Sequence, residues 1–427
     1  MAEIRPFRAL RFTEKAGDPA EVICPPYDII SEEQRREYLA RNANNIIRLE
    51  RPREGEDPYA EAGRVLERMI AEGVLKQDDV PAFYVYDIEF DLEDGTHNVY
   101  GLVARLHLEE FDKGIVLPHE ETLSKAKQDR LNLMKATGCN FSDVYGLYND
   151  GQDEGNVDDL LCIAMSEQPI VAVTDEAGLT HRLWAITDEG MIAAIEKRFV
   201  DTKIYIADGH HRYETAINYR NYLREQGTPV GAASDYIMMM MVEMSHPGLV
   251  VQPTHRLLRD LEGFDPAALL AACRERFEVE EGLALDIIDD RLDHAYREGK
   301  RAFGFYTGGD TAALLTLRDI AVMDAELPAL SEASRRLDVN VLHTLILEQL
   351  LGIDKANMAQ QINLTYTRSL TEAIDGVANG TFQGAFLLNP TRVSEIRDVA
   401  AAGEKMPQKS TYFYPKLTTG LTVNVLK

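Results

Sequence analysis

Cysteine is scarce in this sequence. Its four residues, Cys24, Cys139, Cys162 and Cys273, stand far apart, and no Cys-x-x-Cys pair occurs. A zinc ribbon and a redox-active dithiol both need thiols at short spacing, so neither is indicated. Scattered single thiols fit a reducing compartment. Long apolar runs are missing as well. The longest, Tyr236 to Val242, falls far short of the ~20 residues that a membrane-spanning helix requires. The first residues, Met-Ala-Glu-Ile-Arg-Pro-Phe, hold no apolar stretch of the kind a secretory signal needs, so the expected location is the cytoplasm. Positive charge is in deficit: 45 Lys and Arg face 71 Asp and Glu, a formal charge of −26. Duplex DNA binding works by replacing phosphate counterions with Lys and Arg, and this chain shows no basic tail or stripe. DNA is therefore not an expected partner. A local basic pocket for one small anion is compatible with the balance, because charge is decided pocket by pocket.

What is present is an ordinary globular composition. The 427 residues are 45% hydrophobic and 27% charged, enough for two or three domains of about 100–200 residues each. Ser31 with Gln34 three positions on predicts a capped helix start. Tyr59, Ala62, Val65, Leu66, Met69 and Ile70 share one helical face that ends near Gly73. Phe83 to Phe90 alternates and pairs, across a Glu93-Asp94-Gly95 turn, with Asn98 to Leu108. A polar helix runs through Met134, and Asn149 to Asp159 reads as an exposed loop. A helix over 191–199, a strand over 203–207 and a helix over 212–226, stopped by Gly227, follow in order. Tyr236 to Val242 is a buried strand whose methionines fill a core. Further on, the pattern predicts a helix over 266–277, a hairpin joining 301–306 to 312–317 and a helix over 339–351. A closing β-α-β-α-β section includes Gly384 to Leu388 and ends in Leu421 to Leu426. The fold class is α/β (mixed α+β). The expected division is 1–255, containing the phosphate loop, and 256–427, a C-terminal α/β subdomain.

The clearest chemistry lies at Asp208-Gly209-His210-His211-Arg212, between a strand and a helix. The first amides of a helix have no partners within it, and the helix dipole places partial positive charge there. Gly209 lets an anion approach the backbone, and Arg212 offers a planar fork for two phosphate oxygens. His210 and His211 can donate to a phosphate or exchange a proton. Asp208 can take a magnesium ion or a substrate proton. A second cluster is His119-Glu120-Glu121-Thr122 with Lys127 and Arg130, where Glu120 is a candidate base and His119, Lys127 and Arg130 are candidate phosphate ligands. It reads equally well as a solvated helix start. His255 and Arg256 form a third candidate group and Lys409, Ser410 and Thr411 a fourth. By themselves these two are loops with exposed cations.

Five blocks occur in order: Cys24-Pro-Pro-Tyr-Asp28, Pro118-His-Glu-Glu-Thr122 with Lys127-Gln-Asp-Arg130, Ile206 to Ala216, Pro253-Thr-His-Arg256 and Met406 to Lys416. Together they resemble the family numbered 1015 among the domains of unknown function, whose members carry the label "SpoOJ/ParA/ParB/RepB family". The Asp-Gly-His-His-Arg block is also similar to the phosphate loop of the ParB/sulfiredoxin-like superfamily. Sulfiredoxins have a Cys where His210 stands, so sulfinic acid reduction is not implied. The archaeal free serine kinases have Asp-Gly-His-His-Arg itself. That resemblance implies phosphoryl transfer from ATP, ADP or another donor to a small hydroxylated metabolite, with Asp208, His210, His211 and Arg212 at the site. It also implies a Glu outside the loop, for which Glu120 and Glu121 are the chemically reasonable candidates. The alternatives are a phosphomonoester hydrolase, such as a phosphoserine phosphatase, and a non-catalytic ParB-like nucleotide sensor. The expected partner in each case is a small phosphate ligand. The blocks at 119–130, 208–212, 254–256 and 409–416 are expected to converge on one cleft.

Overall fold

The computed structural model describes every residue except Glu93, Asp94, Glu121, Leu123 and Gly151, Gln152, Asp153 and Glu154, with the backbone alone for Ser124 and Lys125. The predicted Glu93-Asp94 turn, the candidate Glu121 and the middle of the Asn149–Asp159 loop therefore lie outside the described residues. The chain forms two compact units. The first takes Met1–Pro118, Thr122–Leu249 and Pro415–Lys427, and the second takes His119–Glu121 and Val250–Tyr414. Both mix helices with β-sheet.

The first unit is built on a mixed sheet. Its strands run in the order Val116–Leu117, Ile204–Asp208, Val144–Tyr148, Tyr236–Glu243, Gly95–His107, Phe83–Leu92, Thr180–Ile186 and Val171–Thr174, and Ile4–Arg5 adds to Gly95–His107. The strand Tyr236–Glu243 is central, parallel to Val144–Tyr148 and antiparallel to Gly95–His107. All eight of its residues are buried, which explains a run with no polar alternation. Its methionines supply flexible filling between the layers. Met239 and Met241 join Leu102, Val144 and Ile206 in one cluster with Tyr213, Ala216, Ile217 and Tyr219 of the helix His210–Glu225. A second cluster gathers Leu10, Ile46, Leu49, Val65, Leu66 and Val423. The helix Glu32–Arg41 starts at Ser31 with both bonds of a capping box, and Pro58–Ala71 buries Ala62, Val65, Leu66 and Met69 as their spacing predicts, while Ile70, expected on that face, is exposed.

The returning segment Pro415–Lys427 is stitched into this unit. Thr419 exchanges backbone hydrogen bonds with Cys24, and Asn424–Val425 pairs with Cys139–Asn140. The predicted loop up to Asp159 needs one correction. Asn156 caps a helix that begins at Val157, because its side chain accepts from the Asp159 amide.

The second unit has a six-stranded antiparallel sheet in the order Phe277–Ala284, Thr311–Leu317, Ala302–Tyr306, Gly384–Leu387, His255–Leu258 and Leu364–Thr367. Helices Ile288–Arg297 and Leu370–Ala378 pack Ile288, Leu292, Ala373 and Val377 against it. The helix expected to reach Phe277 stops at Cys273, and Phe277 opens a strand instead. The expected helix over 339–351 is present in two parts, α-helical at Asp338–Leu342 and π-helical at His343–Glu348.

Candidate functional site

The strand Ile204–Asp208 lies between Val116–Leu117 and Val144–Tyr148. Ile206 stands opposite Gly146 and Asp208 opposite Tyr145, so the ladder slips at Ala207. A bulge of this kind re-aims the next side chain, here Asp208. Gly209 follows at φ 90 and ψ 25, in the left-handed region, and the sixteen-residue helix starts at His210. A Cβ at Gly209 would sit 2.9 Å from Arg212 Nε, so both the backbone angle and the space favour glycine. Elsewhere in this unit Ser31, Asp57, Asn156 and Asp188 cap helices with their side chains. No side chain caps His210–Glu225, and its first turn holds no acidic residue.

One turn on, Arg212 Nη2 donates to Asp208 Oδ2 at 2.8 Å and Nη1 donates to the Asp143 carbonyl. Lys416 Nζ donates to the other carboxylate oxygen, Asp208 Oδ1, at 2.9 Å. Burial works to raise the Asp208 pKa, but Lys416 and Arg212 overcome it and hold the carboxyl well below the usual range. Asp208 is therefore a fixed anion that orients two cations, not a proton acceptor. Both oxygens of Asp208 are engaged by cations, and among the described residues no group of three or more His, Cys, Asp or Glu is placed to hold a metal. His210 is buried. Burial lowers the His211 pKa against the pull of Glu214, which keeps its ring neutral at pH 7.

Arg130, on the helix Ser124–Thr137, stacks with its guanidinium carbon 4.0 Å from the Tyr27 ring centroid. Its Nη1 donates to the Glu50 carbonyl at 2.7 Å, and its Nε donates to Asp129 at 2.8 Å. Glu50 is 3% exposed and accepts from Ser142 Oγ at 2.9 Å. Burial pushes its pKa up despite Arg130 and Ser142. Lys127 and Thr122 both donate to Glu214 Oε2 at 2.7 Å. Glu50, Arg130, Ser142, Arg212 and Thr215 line a cavity of ≈ 30 Å³, room for a water or two among polar partners. Asp143, whose carbonyl holds Arg212, has a buried Oδ1 without a hydrogen-bond partner, and burial raises its pKa to about 7 against the opposing charge of Arg212.

The first unit thus brings together Lys127, Arg130, Asp208, Gly209, His210, His211 and Arg212. The other candidates belong to the second unit. There His119 Nε2 meets Thr411 Oγ1 at 2.9 Å, Glu120 bridges to Met406, and the Met406 amide donates to the His119 carbonyl. His255 Nδ1 accepts from the Leu388 amide, and burial with neighbouring Arg256 lowers its pKa to about 4. Lys409 is exposed, while Ser410 is buried and donates to the Pro407 carbonyl at 2.5 Å. Arg256 is not the exposed loop cation of the bland expectation, because it is a buried strand residue, whereas Lys409 does match that expectation. Sequence reasoning did not single out Asp143 or Glu50, and Lys416 entered it only as the last residue of the 409–416 block. Lys416 ends the last of the five blocks, which was a usable signal. Asp143 and Glu50 carry no local pattern at all.

The family model described as "Protein of unknown function (DUF1015)" matches residues 4–340. The chain belongs to that family. No curated protein was found to match it in sequence. Among solved structures, a conserved hypothetical protein from Pyrococcus furiosus is similar at 12% identity and a TM-score of 0.34, covering 74% of this chain and 94% of that one. A free serine kinase in complex with AMP is similar at 14% identity and a TM-score of 0.34, covering 74% and 90%. SbnI with a C-terminal truncation, from Staphylococcus aureus, is similar at 10% identity and a TM-score of 0.36, covering 76% and 87%. None is close enough in sequence or superposition to transfer an activity to this member of the family. No helix among the described residues is long and apolar enough to cross a membrane.

Proposed function

We propose that this protein binds the phosphates of a nucleotide at the Asp208–Arg212 loop and transfers a phosphoryl group to the hydroxyl of a small metabolite, a serine kinase-like activity. The observation that carries the reading is the uncapped start of the helix His210–Glu225, with Gly209 in the left-handed region and Arg212 fixed beside it. The helix amides and dipole would take the donor phosphate oxygens, and Arg212 would offset charge developing on the transferred group. Asp208, with both oxygens engaged, holds Arg212 and Lys416 in position. In the transfer, the metabolite hydroxyl oxygen bonds to phosphorus, the bond to the bridging oxygen breaks, and the shortened nucleotide leaves. The hydroxyl proton goes to a carboxylate. Asp143 fits that role best, because its pKa of about 7 leaves it able both to take and to release a proton near neutral pH. Glu50, buried beside Arg130, is the second candidate. The ParB/sulfiredoxin-like character of the loop belongs to the same reading.

With water in place of the metabolite, the same residues would make a phosphomonoester hydrolase, and Asp143 serves that chemistry equally. Phosphate release from phosphoserine without nucleotide separates the two. The direct test is thermal stabilisation by ATP, ADP, CTP, pyrophosphate and phosphoserine, in the wild type and in Arg212→Ala and Arg212→Lys. A ligand at about 100 times its dissociation constant stabilises by roughly 2.7 kcal/mol. The expected result is a clear rise with one nucleotide that is lost in Arg212→Ala. A nucleotide response that survives Arg212→Ala unchanged, or no response to any phosphate, overturns the proposal.

A further inference from the structure

Tyr86 and His181 stand on adjacent antiparallel strands, Phe83–Leu92 and Thr180–Ile186, where Tyr86 pairs with Leu183 and His181 with Ile88. They are therefore diagonal neighbours on one face of the sheet. Phe83, Val85, Trp184 and Ile186 point to the other face, into the first core cluster. Tyr86 and His181 are both fully buried. Their polar atoms are joined in a chain. Tyr86 Oη lies 2.9 Å from His181 Nδ1, and His181 Nε2 lies 3.2 Å from Asp175 Oδ2. The other oxygen of Asp175 accepts from the Ala177 and Leu179 amides, each at 2.9 Å. At the far end the Tyr86 oxygen accepts from the Thr418 amide at 3.3 Å.

The hydrogen bonds in this chain run one way. Burial works to raise the Asp175 pKa, but the bonds from His181 and the Leu179 amide bring it below its usual value, so Asp175 is an acceptor. His181 then carries its proton on Nε2 and presents a bare Nδ1. Burial pushes the Tyr86 pKa well above its ordinary value, so the hydroxyl keeps its proton and donates to Nδ1. That leaves the phenol oxygen to take the Thr418 N–H. Bonds aligned in this way strengthen one another, and a satisfied buried chain fixes one geometry. Apolar side chains would fill the same space without the cost of burying a hydroxyl and an imidazole. What the chain grips is the returning segment. Thr418 Oγ1 also donates to the Cys24 carbonyl at 2.9 Å. Two residues before Thr418 stands Lys416, whose Nζ donates to Asp208 Oδ1 at 2.9 Å.

We propose that Tyr86, oriented by His181 and Asp175, is a positioning residue for Lys416. It pins the returning segment at Thr418 and so sets where Lys416 Nζ reaches the carboxylate that holds Arg212. Without the Tyr86 hydroxyl the Thr418 amide loses a buried acceptor, the segment is free to move, and Asp208 loses part of its counter-charge. Each link is a hydrogen bond or a covalent step of two residues, and all of them lie within the first unit. The consequence for phosphate binding rests on the function proposed above, whereas the positioning is a property of the protein without ligand.

The test is a double-mutant cycle on the full-length protein without nucleotide, read by denaturant unfolding at about pH 6 and about pH 3. Burial raises the Asp208 pKa, but Lys416 and Arg212 depress it further than burial lifts it. Its stabilisation is therefore present above 3.8 and fades as pH falls below that value. Tyr86→Phe is expected to raise the unfolding constant about tenfold more at the higher pH than at the lower. In a Lys416→Met background that extra factor disappears. The same background controls for other groups that titrate nearby: Asp87, Asp143 and Asp175 around Tyr86, and Arg212, His210 and Tyr145 around Asp208. His181→Asn keeps an amide oxygen for the Tyr86 hydroxyl and is expected to retain the pH-dependent stability that His181→Leu loses. Both variants remove the bond to Asp175, so their difference isolates Tyr86. If Tyr86→Phe does not fold, the His181 pair decides alone. A Tyr86→Phe loss equal at both pH values, a pH-dependent loss that persists in Lys416→Met, or equal behaviour of His181→Asn and His181→Leu overturns the proposal. Nucleotide takes no part in these measurements, so a failure here leaves nucleotide binding at the loop standing, and the reverse.

Discussion

Asp143 and Asp208 both adjoin Arg212, yet their environments drive their pKa values apart. Asp208 receives Arg212 and Lys416 on its own oxygens and stays ionised. Asp143 offers Arg212 only its carbonyl, so burial decides, and the carboxyl is raised from 3.8 to about 7. Such pairs mark a division between a fixed charge and a proton carrier. The sign of the consequence follows. An acid with a raised folded pKa binds more protons when folded, so its contribution to stability is present below pH 3.8 and is lost as pH rises through about 7. Asp143→Asn is therefore expected to gain stability relative to wild type at about pH 8, measured by denaturant unfolding at several pH values. If Asp143 is the base, turnover in wild type rises with pH through about 7, and Asp143→Asn loses roughly 10²–10⁴-fold. Gly209→Ala is expected to lose about 1–2 kcal/mol from the left-handed backbone and also to weaken nucleotide binding, since its Cβ meets Arg212. Binding that stays intact in Gly209→Ala would speak against the loop as the phosphate site.

Elements whose signals are local were legible in the sequence. Ser31 and Gln34 announce a capping box that the structure contains, and Ser31→Ala should cost about 1 kcal/mol in equilibrium unfolding. The strand, glycine turn and helix around Asp208 were legible for the same reason: the apolar period and the glycine breaker lie within a few residues. Phe277–Ala284 was missed because its run Glu278, Glu280 and Glu281 looks like a solvated helix end. It is an outermost strand of its sheet, with those side chains turned away from the core. The π-helical turn at His343 was invisible, since an extra residue in a turn leaves the apolar pattern almost unchanged. Glu50 and Asp143 could not be read as site residues at all. Each is one acidic residue among 71, and only the fold carries them to Arg130 and Arg212.

At the scale of the molecule, neither unit is one continuous piece of chain. Composition and charge leave no trace of this, because the segments that cross over are short and their anchoring is done by backbone pairing. Lys416 is the clearest functional consequence. Lys416→Met leaves Asp208 with Arg212 alone and should cost about 1–3 kcal/mol at neutral pH. A depressed carboxyl pKa stabilises above its ordinary value of 3.8, and that stability is lost as pH falls below it. The gap between variant and wild type should therefore close below about pH 4, and a gap that persists in acid would assign the loss to packing instead.

The ion pair of Lys416 with Asp208 joins residues 208 positions apart. A ribosome adds about 5–20 residues per second, so roughly 10–40 s separate the synthesis of the aspartate from that of its lysine. During that interval the nascent first unit holds an Asp208 that lacks Lys416, while Val250–Tyr414 of the second unit is still being made. The loop is completed late in translation, so a chain stalled within the second unit would carry the loop sequence without its finished charge arrangement.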